Sequence, residues 1–184
     1  MNLVNEAVTL MKNYGVVKID HKKPFTLASG KISPYYFDHR RIFSVPELRN
    51  LIISLWSQKI QKELKIPLTD VCFAGTATAG IAPAYALAQA NQASFIYVRA
   101  QAKSHGTGNL VEGVWDPAQP TIVVDDMVTT GKSLLQAAEQ LRSCNTQLIA
   151  AACITQQINN DVEFSFQNAG LRCISLFNVN ELLN

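Results

Sequence analysis

The 184-residue chain is 48% hydrophobic and 16% charged, the balance of one globular domain with a sizeable core, which excludes a disordered or low-complexity protein. A net charge of +2 and a pI near 8.3 are too mild to point to nucleic acid or a membrane surface as partner. Cys72, Cys144, Cys153 and Cys173 stand far apart with no C-x-x-C pair, so neither a zinc site nor a disulfide framework is indicated, and reduced thiols in a cytoplasmic protein are expected.

The chain opens with "MNLVNEAVTLMKNYG", in which Leu3, Val4, Ala7, Val8, Leu10 and Met11 recur at helical spacing and Gly15 supplies a C-terminal stop. It lacks a basic segment followed by an unbroken apolar one, so it is not expected to be a secretory signal. No apolar run approaches the roughly 18 residues that span a bilayer. "FTLASGKISPYYFDHR" follows, with a Ser-Gly turn and an aromatic strand "YYF" that by itself implies ordinary packing. The next helix is predicted to start with Ser44 as N-cap and Pro46 in its first turn, and to run through "ELRNLIISLWSQKIQKEL".

Beyond it the rhythm changes. "TDVCFAG", "ASFIYVR", "PTIVVDD" and "TQLIAAACIT" are short apolar runs mostly without alternation, as expected for strands buried on both faces. Helical segments near "GIAPAYALAQA" and "GKSLLQAAEQLRS" lie between them, which predicts an α/β protein with a mainly parallel, Rossmann-like sheet. A further helix in "VEFSFQNAG", a strand in "LRCISLF" and a final helical turn in "NVNELLN" complete the chain, with no internal repeat or linker. One segment breaks the pattern: "AQAKSHGTGNLVEGVWDPAQP" is long, polar and Gly-rich with little to bury, and loops of that kind are usually functional lids or disordered. Taken alone, its Lys103 and His105 are solvated side chains; taken as a lid, both could donate to an anion.

"VVDDMVTTGKS" ends like the phosphate loop of ATP-binding proteins, but that pattern needs a glycine where this chain has Asp126. A carboxylate cannot stand where backbone must wrap around phosphate. "TIVVDD" is instead a buried strand with Asp125 and Asp126 at its carboxyl end, the edge at which open α/β sheets bind ligands. "TTGKS" then turns into a helix, so backbone amides, the hydroxyls of Thr129, Thr130 and Ser133 and the helix dipole converge on a spot that suits a phosphate. The aspartates repel phosphate, but they can accept hydrogen bonds from a vicinal diol or steady a divalent metal through its waters. A sugar with a phosphate at one end and a free diol beside it meets both demands.

These residues resemble a family. "IVVDDMVTTGKS" is similar to the phosphoribosyl pyrophosphate (PRPP) signature of type I phosphoribosyltransferases, and "FTLASGKISPYYFDHR" and "AKSHGTGNLVEG" resemble the N-terminal and mobile-loop motifs of the orotate phosphoribosyltransferases. The likeness spans nearly the whole chain. It implies transfer of a 5-phosphoribosyl group from PRPP to orotate with Mg²⁺ carried by PRPP, in a homodimer whose mobile loop reaches the neighbouring subunit's site. It further implies a small hood over the base from roughly residues 1–40 plus the C-terminal segment, on a core of roughly residues 45–175. Arg99, Lys103 and His105 are then expected to act on the pyrophosphate, and the loop Asp125, Asp126, Met127, Val128, Thr129, Thr130, Gly131, Lys132 and Ser133 to hold the ribose and its 5′-phosphate. "AGTATAG", Ala74 to Gly80, resembles the loop that approaches the pyrophosphate, while Tyr36, Phe37, Thr129 and Gln156 fall at positions beside orotate.

Four positions depart from the family pattern. Ala28, Ala79 and Ala100 stand where lysines occur in some members, and Thr155-Gln156 stands where Asp-Arg is usual, so a cation expected beside the base is replaced by a neutral amide. Two alternatives follow: a related transferase acting on another base, or a sensor of PRPP or nucleotides that uses this fold to bind nucleic acid. The near-neutral charge and the use of the whole chain by one domain argue against the second.

Overall fold

The computed structural model describes residues 2–26, 30, 32–101, 110–157 and 160–183. Helix α1 (Leu3–Asn13) is capped by the Asn2 side chain, which accepts from the Val4 amide at 3.1 Å, and it ends at Tyr14 and Gly15 as expected. Strands β1 (Val17–Ile19) and β4 (Tyr35–Phe37) pair antiparallel, as do the two-residue strands β2 (Phe25–Thr26) and β3 (Ile32–Ser33). A 3₁₀ turn, His39–Ser44, leads into α2 (Pro46–Leu64).

Ser44 is not the cap of α2. Its hydroxyl donates to the Arg41 carbonyl at 2.8 Å, and Val45 precedes the helix without a side-chain cap. The residues before Pro46 are already wound, so the hydroxyl is spent on the 3₁₀ turn, while the missing amide hydrogen of Pro46 lowers the need for a cap.

The remaining elements are β5 (Cys72–Thr76), α3 (Ile81–Asn91), β6 (Ser94–Val98), β7 (Val111–Glu112), β8 (Thr121–Val128), α4 (Lys132–Ser143), β9 (Leu148–Gln156), α5 (Asn160–Asn168), β10 (Cys173–Asn178) and α6 (Val179–Leu183). Six of these strands form one sheet in the order β10-β9-β8-β5-β6-β7, parallel except for β7. Both faces are covered. Phe73, Ile122, Val124, Ala150, Ala152 and Ile154 face a core shared with α1, α2, α3 and α6, while Ala74, Val123, Ala151 and Cys153 face one shared with α4 and α5. Successive strand residues point to opposite faces, so this double burial explains why the strands carry few polar residues.

The second half of the segment expected to be a lid packs against the sheet. Val111 and Glu112 pair with Val98 and Tyr97, Val111 is buried, and Trp115 packs on the second core with its Nε1 donating to Thr146 Oγ1 at 3.3 Å. Two apolar side chains in a polar sequence suffice to anchor its second half.

Chain order reverses between β5 and β8: β6 lies on one side of β5 and β8 on the other. Loops leaving the two strands diverge there, opening the crevice in which such sheets bind ligands. The first loop, Ala77–Gly80, folds back tightly, with Gly80 donating to the Thr76 carbonyl at 2.9 Å and Ala77 to Val98 at 2.8 Å. A Cβ on Gly80 would overlap the Val124 carbonyl oxygen and Thr76 Oγ1, and one on Gly75 would overlap the Gly80 carbonyl. Gly80→Ala is expected to cost about 1–3 kcal/mol or more, since the atoms it meets belong largely to backbone. Ala79→Ser, at an exposed position of the same loop, should leave the melting temperature unchanged, and thermal denaturation of the two variants checks the contrast.

Candidate functional site

The carboxyl end of β8 carries the paired acids. Asp125 is 6% exposed and its carboxylate accepts the Asp126 amide at 2.9 Å, whereas the Asp126 side chain keeps 21% of its surface open. Burial, then the charge of Asp126, push Asp125 up to about 7, and the Thr76 hydroxyl and Asp126 amide offset only part of that. Asp125 thus sits at the switch point as an acid that ionises near neutrality.

Beyond Val128 the chain turns through the exposed Thr129 and Thr130 to Gly131, at φ 78°, where α4 begins. That left-handed conformation suits glycine, and a Cβ there would also stand 2.9 Å from the Phe166 ring on α5. No side chain caps α4, so its first amides remain free for a ligand, apart from the Lys132 amide, which donates weakly to Thr130 Oγ1 at 3.4 Å. Asp125, Met127, Val128, Thr129, Thr130, Gly131, Lys132 and Ser133 line one concavity. Within it Val128 is 2% exposed and packs in the core, so its backbone is the part it offers.

Arg99 leaves the end of β6 on the far side of the Ala77–Gly80 loop. Its amide donates to the Leu110 carbonyl at 2.8 Å and its guanidinium lies 3.5 Å from Glu112. With Thr76, Ala77, Ala100 and Ser133 it borders a cavity of about 80 Å³, so the expected pyrophosphate loop, Arg99 and the start of α4 converge. A roomier trough of about 390 Å³ lies elsewhere, between α2 and α3, bordered by neutral side chains and Arg49. It is away from the carboxyl edge of the sheet and holds none of the expected site residues. Lys103 and His105, expected on the lid, and Ala28 fall outside the described residues.

The residues expected beside the base are placed differently from one another. Phe37 faces the core and stacks on His39 with ring centroids 6.0 Å apart, whereas Tyr36 faces the other way and meets Phe25 at 5.8 Å. Neighbours on a strand point to opposite faces, so the two side chains do not form one aromatic wall. Gln156 ends β9 beside Val128 and is 8% exposed, which puts a neutral amide next to the turn carrying Thr129.

His39 joins the site through contacts that the sequence does not reveal. Its ring is 1% exposed, with Nε2 2.8 Å from Thr155 Oγ1 and Nδ1 3.8 Å from Asp126 Oδ2. Burial lowers its affinity for a proton more than Asp126 and Asp38 raise it, so the ring is neutral at physiological pH. Thr155 lies far along the chain, and a single histidine in "FDHRR" carries no periodic or motif signal that could have revealed the pairing.

Comparison with known proteins bears on this geometry. Residues 40–174 match the family model described as a phosphoribosyl transferase domain. The chain is 36% identical over 183 residues to the orotate phosphoribosyltransferase of Streptococcus sanguinis, covering all of this chain and 86% of that one. It is 35% identical over 183 residues to that of Coxiella burnetii, with the same coverage. Among solved structures, the orotate phosphoribosyltransferase of Aeropyrum pernix superposes with a TM-score of 0.81 at 27% identity, over 96% of this chain and 95% of that one.

The elevated Asp125 makes a prediction with a definite sign. A carboxyl shifted from 3.8 to about 7 on folding binds more protons in the folded state between those values, so its contribution to stability declines as pH rises through that window. Asp125→Asn removes the effect, and its thermal stability should gain on the wild type more at about pH 8 than at about pH 5. An equal difference at both would mean that Asp125 ionises freely.

Proposed function

Because the chain belongs to the orotate phosphoribosyltransferase family, we propose that it transfers the 5-phosphoribosyl group of PRPP to orotate, giving orotidine 5′-phosphate and pyrophosphate, a step of pyrimidine biosynthesis. The observation that carries the reading is the pairing, across one turn, of two carboxylates with an uncapped helix N-terminus. One end suits a ribose diol and the other its 5′-phosphate.

In the reaction the C1–O bond to pyrophosphate breaks and a C1–N1 bond to orotate forms. Positive charge develops on the ribose and negative charge on the leaving group, so fixed donors at the pyrophosphate and exclusion of water lower the barrier. We assign Arg99, Lys103 and His105 to the pyrophosphate, and the backbone of the Ala77–Gly80 loop to its approach. Asp125 to Ser133 hold the ribose and 5′-phosphate, and Thr129 and Gln156 the base, with Tyr36 and Phe37 beside it. Mg²⁺ arrives in this reading on the oxygens of PRPP and keeps several waters. Bound there, it supplies positive charge to the departing pyrophosphate.

In this reading residues 1–40 and the C-terminal segment form the hood over the base, and residues 45–175 the catalytic core. The protein works as a cytoplasmic homodimer with the lid of one subunit serving the site of the other. No helix among the described residues is long and apolar enough to cross a membrane. Gln156 keeps one competing reading in play: a buried neutral amide can bond a pyrimidine carbonyl but cannot pair with a carboxylate.

Pyrophosphate release from PRPP and Mg²⁺ should require orotate and stop on chelation of the metal; release with uracil or a purine instead would overturn the choice of base. Lys103→Ala should lower turnover by about a hundredfold, as loss of a donor to a developing charge does, with the melting temperature unchanged. Heterodimers of that variant with one altered at Asp125 and Asp126 should regain activity, and failure to do so would place each lid on its own subunit's site.

A further inference from the structure

The buried histidine has no part in the transfer so far described, yet it touches three elements at the carboxyl edge of the sheet. Phe37 of β4 stacks on one face of its ring, Thr155 of β9 meets Nε2 at 2.8 Å, and Asp126 of β8 stands 3.8 Å from Nδ1. A neutral imidazole carries a single N–H. The Asp126 carboxylate can only accept, so it favours the tautomer with that hydrogen on Nδ1, and Nε2 then accepts from the Thr155 hydroxyl. Hydroxyl, ring and carboxylate form a directed row.

At 3.8 Å the last link is too long for a direct hydrogen bond, and closing it requires a shift of the partly open Asp126 side chain, the less confined of the two partners. The ring itself has little freedom, being 1% exposed and held by Phe37 and Thr155. Asp126 by contrast keeps 21% of its side-chain surface open and has a second carboxylate, Asp125, as its neighbour in the chain, so a donor at Nδ1 of His39 is the group of opposite polarity that can steady it from the buried side.

We propose that His39 is a positioning residue for the ribose site: anchored by Thr155 and Phe37, its Nδ1–H holds one oxygen of Asp126 so that the other faces the diol of PRPP. The proposal rests on the reading that Asp126 binds that diol. It also gives Thr155 a task of its own, orienting the ring from the opposite side.

The test measures PRPP binding by calorimetry in the presence of Mg²⁺, alongside steady-state kinetics and melting temperatures. His39→Leu preserves the apolar bulk and removes both polar contacts. It should weaken PRPP binding and raise the KM for PRPP by about tenfold, the order expected for a lost hydrogen bond to a charged group, with a smaller change in the KM for orotate. His39→Gln, which can still accept from Thr155 and donate toward Asp126, should recover most of the loss. Thr155→Val should shift the PRPP constants in the same direction by a smaller factor. Because His39 acts through Asp126, adding His39→Leu to Asp126→Asn should cost nothing further.

Unchanged PRPP binding in a folded His39→Leu protein would overturn the proposal. So would losses that add in the double variant, or losses that follow the melting temperature and are not restored by glutamine. If the wild type itself takes up no PRPP, the functional reading fails and this inference falls with it, an outcome distinct from a wild type that binds and a leucine variant that binds equally well.

Discussion

The crevice depends on one steric constraint, the contact of Gly80 with the carbonyl of Val124 and the side chain of Thr76. Two parallel strands lie side by side while the chains leaving them diverge, and that divergence is possible here because the first loop collapses onto its own strand. Gly75 and Gly80 remove the side chains that would hold the loop away. Its next residues, Thr78 and Ala79, are consequently exposed at the rim, and β8 can deliver Asp125 into the space beneath them. Backbone proximity therefore sets the distance between the two halves of the site, and the polar groups take their positions from it.

Charge is arranged around that geometry by separation. The acids sit at the end of β8, the free amides one turn later at the start of α4, and Arg99 on the other side of the Ala77–Gly80 loop. Buried beside Asp126, Asp125 is held up near 7, which is unfavourable for the folded chain above neutrality. The interior thus accepts an electrostatic cost at the carboxyl end of β8, the kind of cost that gathers at functional sites.

Much of this was legible in the sequence because it is local. The unbroken apolar runs gave away strands buried on both faces, "VVDDMVTTGKS" contained both acids and the turn to α4, and Gly15 marked the end of α1. Three features were not legible, each for a physical reason. Ser44 has the chemistry of a cap, but the preceding 3₁₀ turn had already claimed its hydroxyl. Val111 and Trp115 lie in a largely polar segment beside the exposed Val114, and a window average does not tell the side chains that pack from the one that does not. His39 depends on partners from β8 and β9, contacts of tertiary origin that no short stretch encodes.

The packing of Phe166 beneath Gly131 has a consequence for how such a sequence can vary. The ring comes from α5 and forms the floor on which the turn before α4 rests. A residue with a side chain could occupy position 131 only if it tolerated a left-handed backbone and if position 166 became smaller at the same time. The two positions therefore form a single mutational unit, in which either change alone is penalised. Variation in the turn before α4 is coupled in this way to a helix on the outside of the sheet.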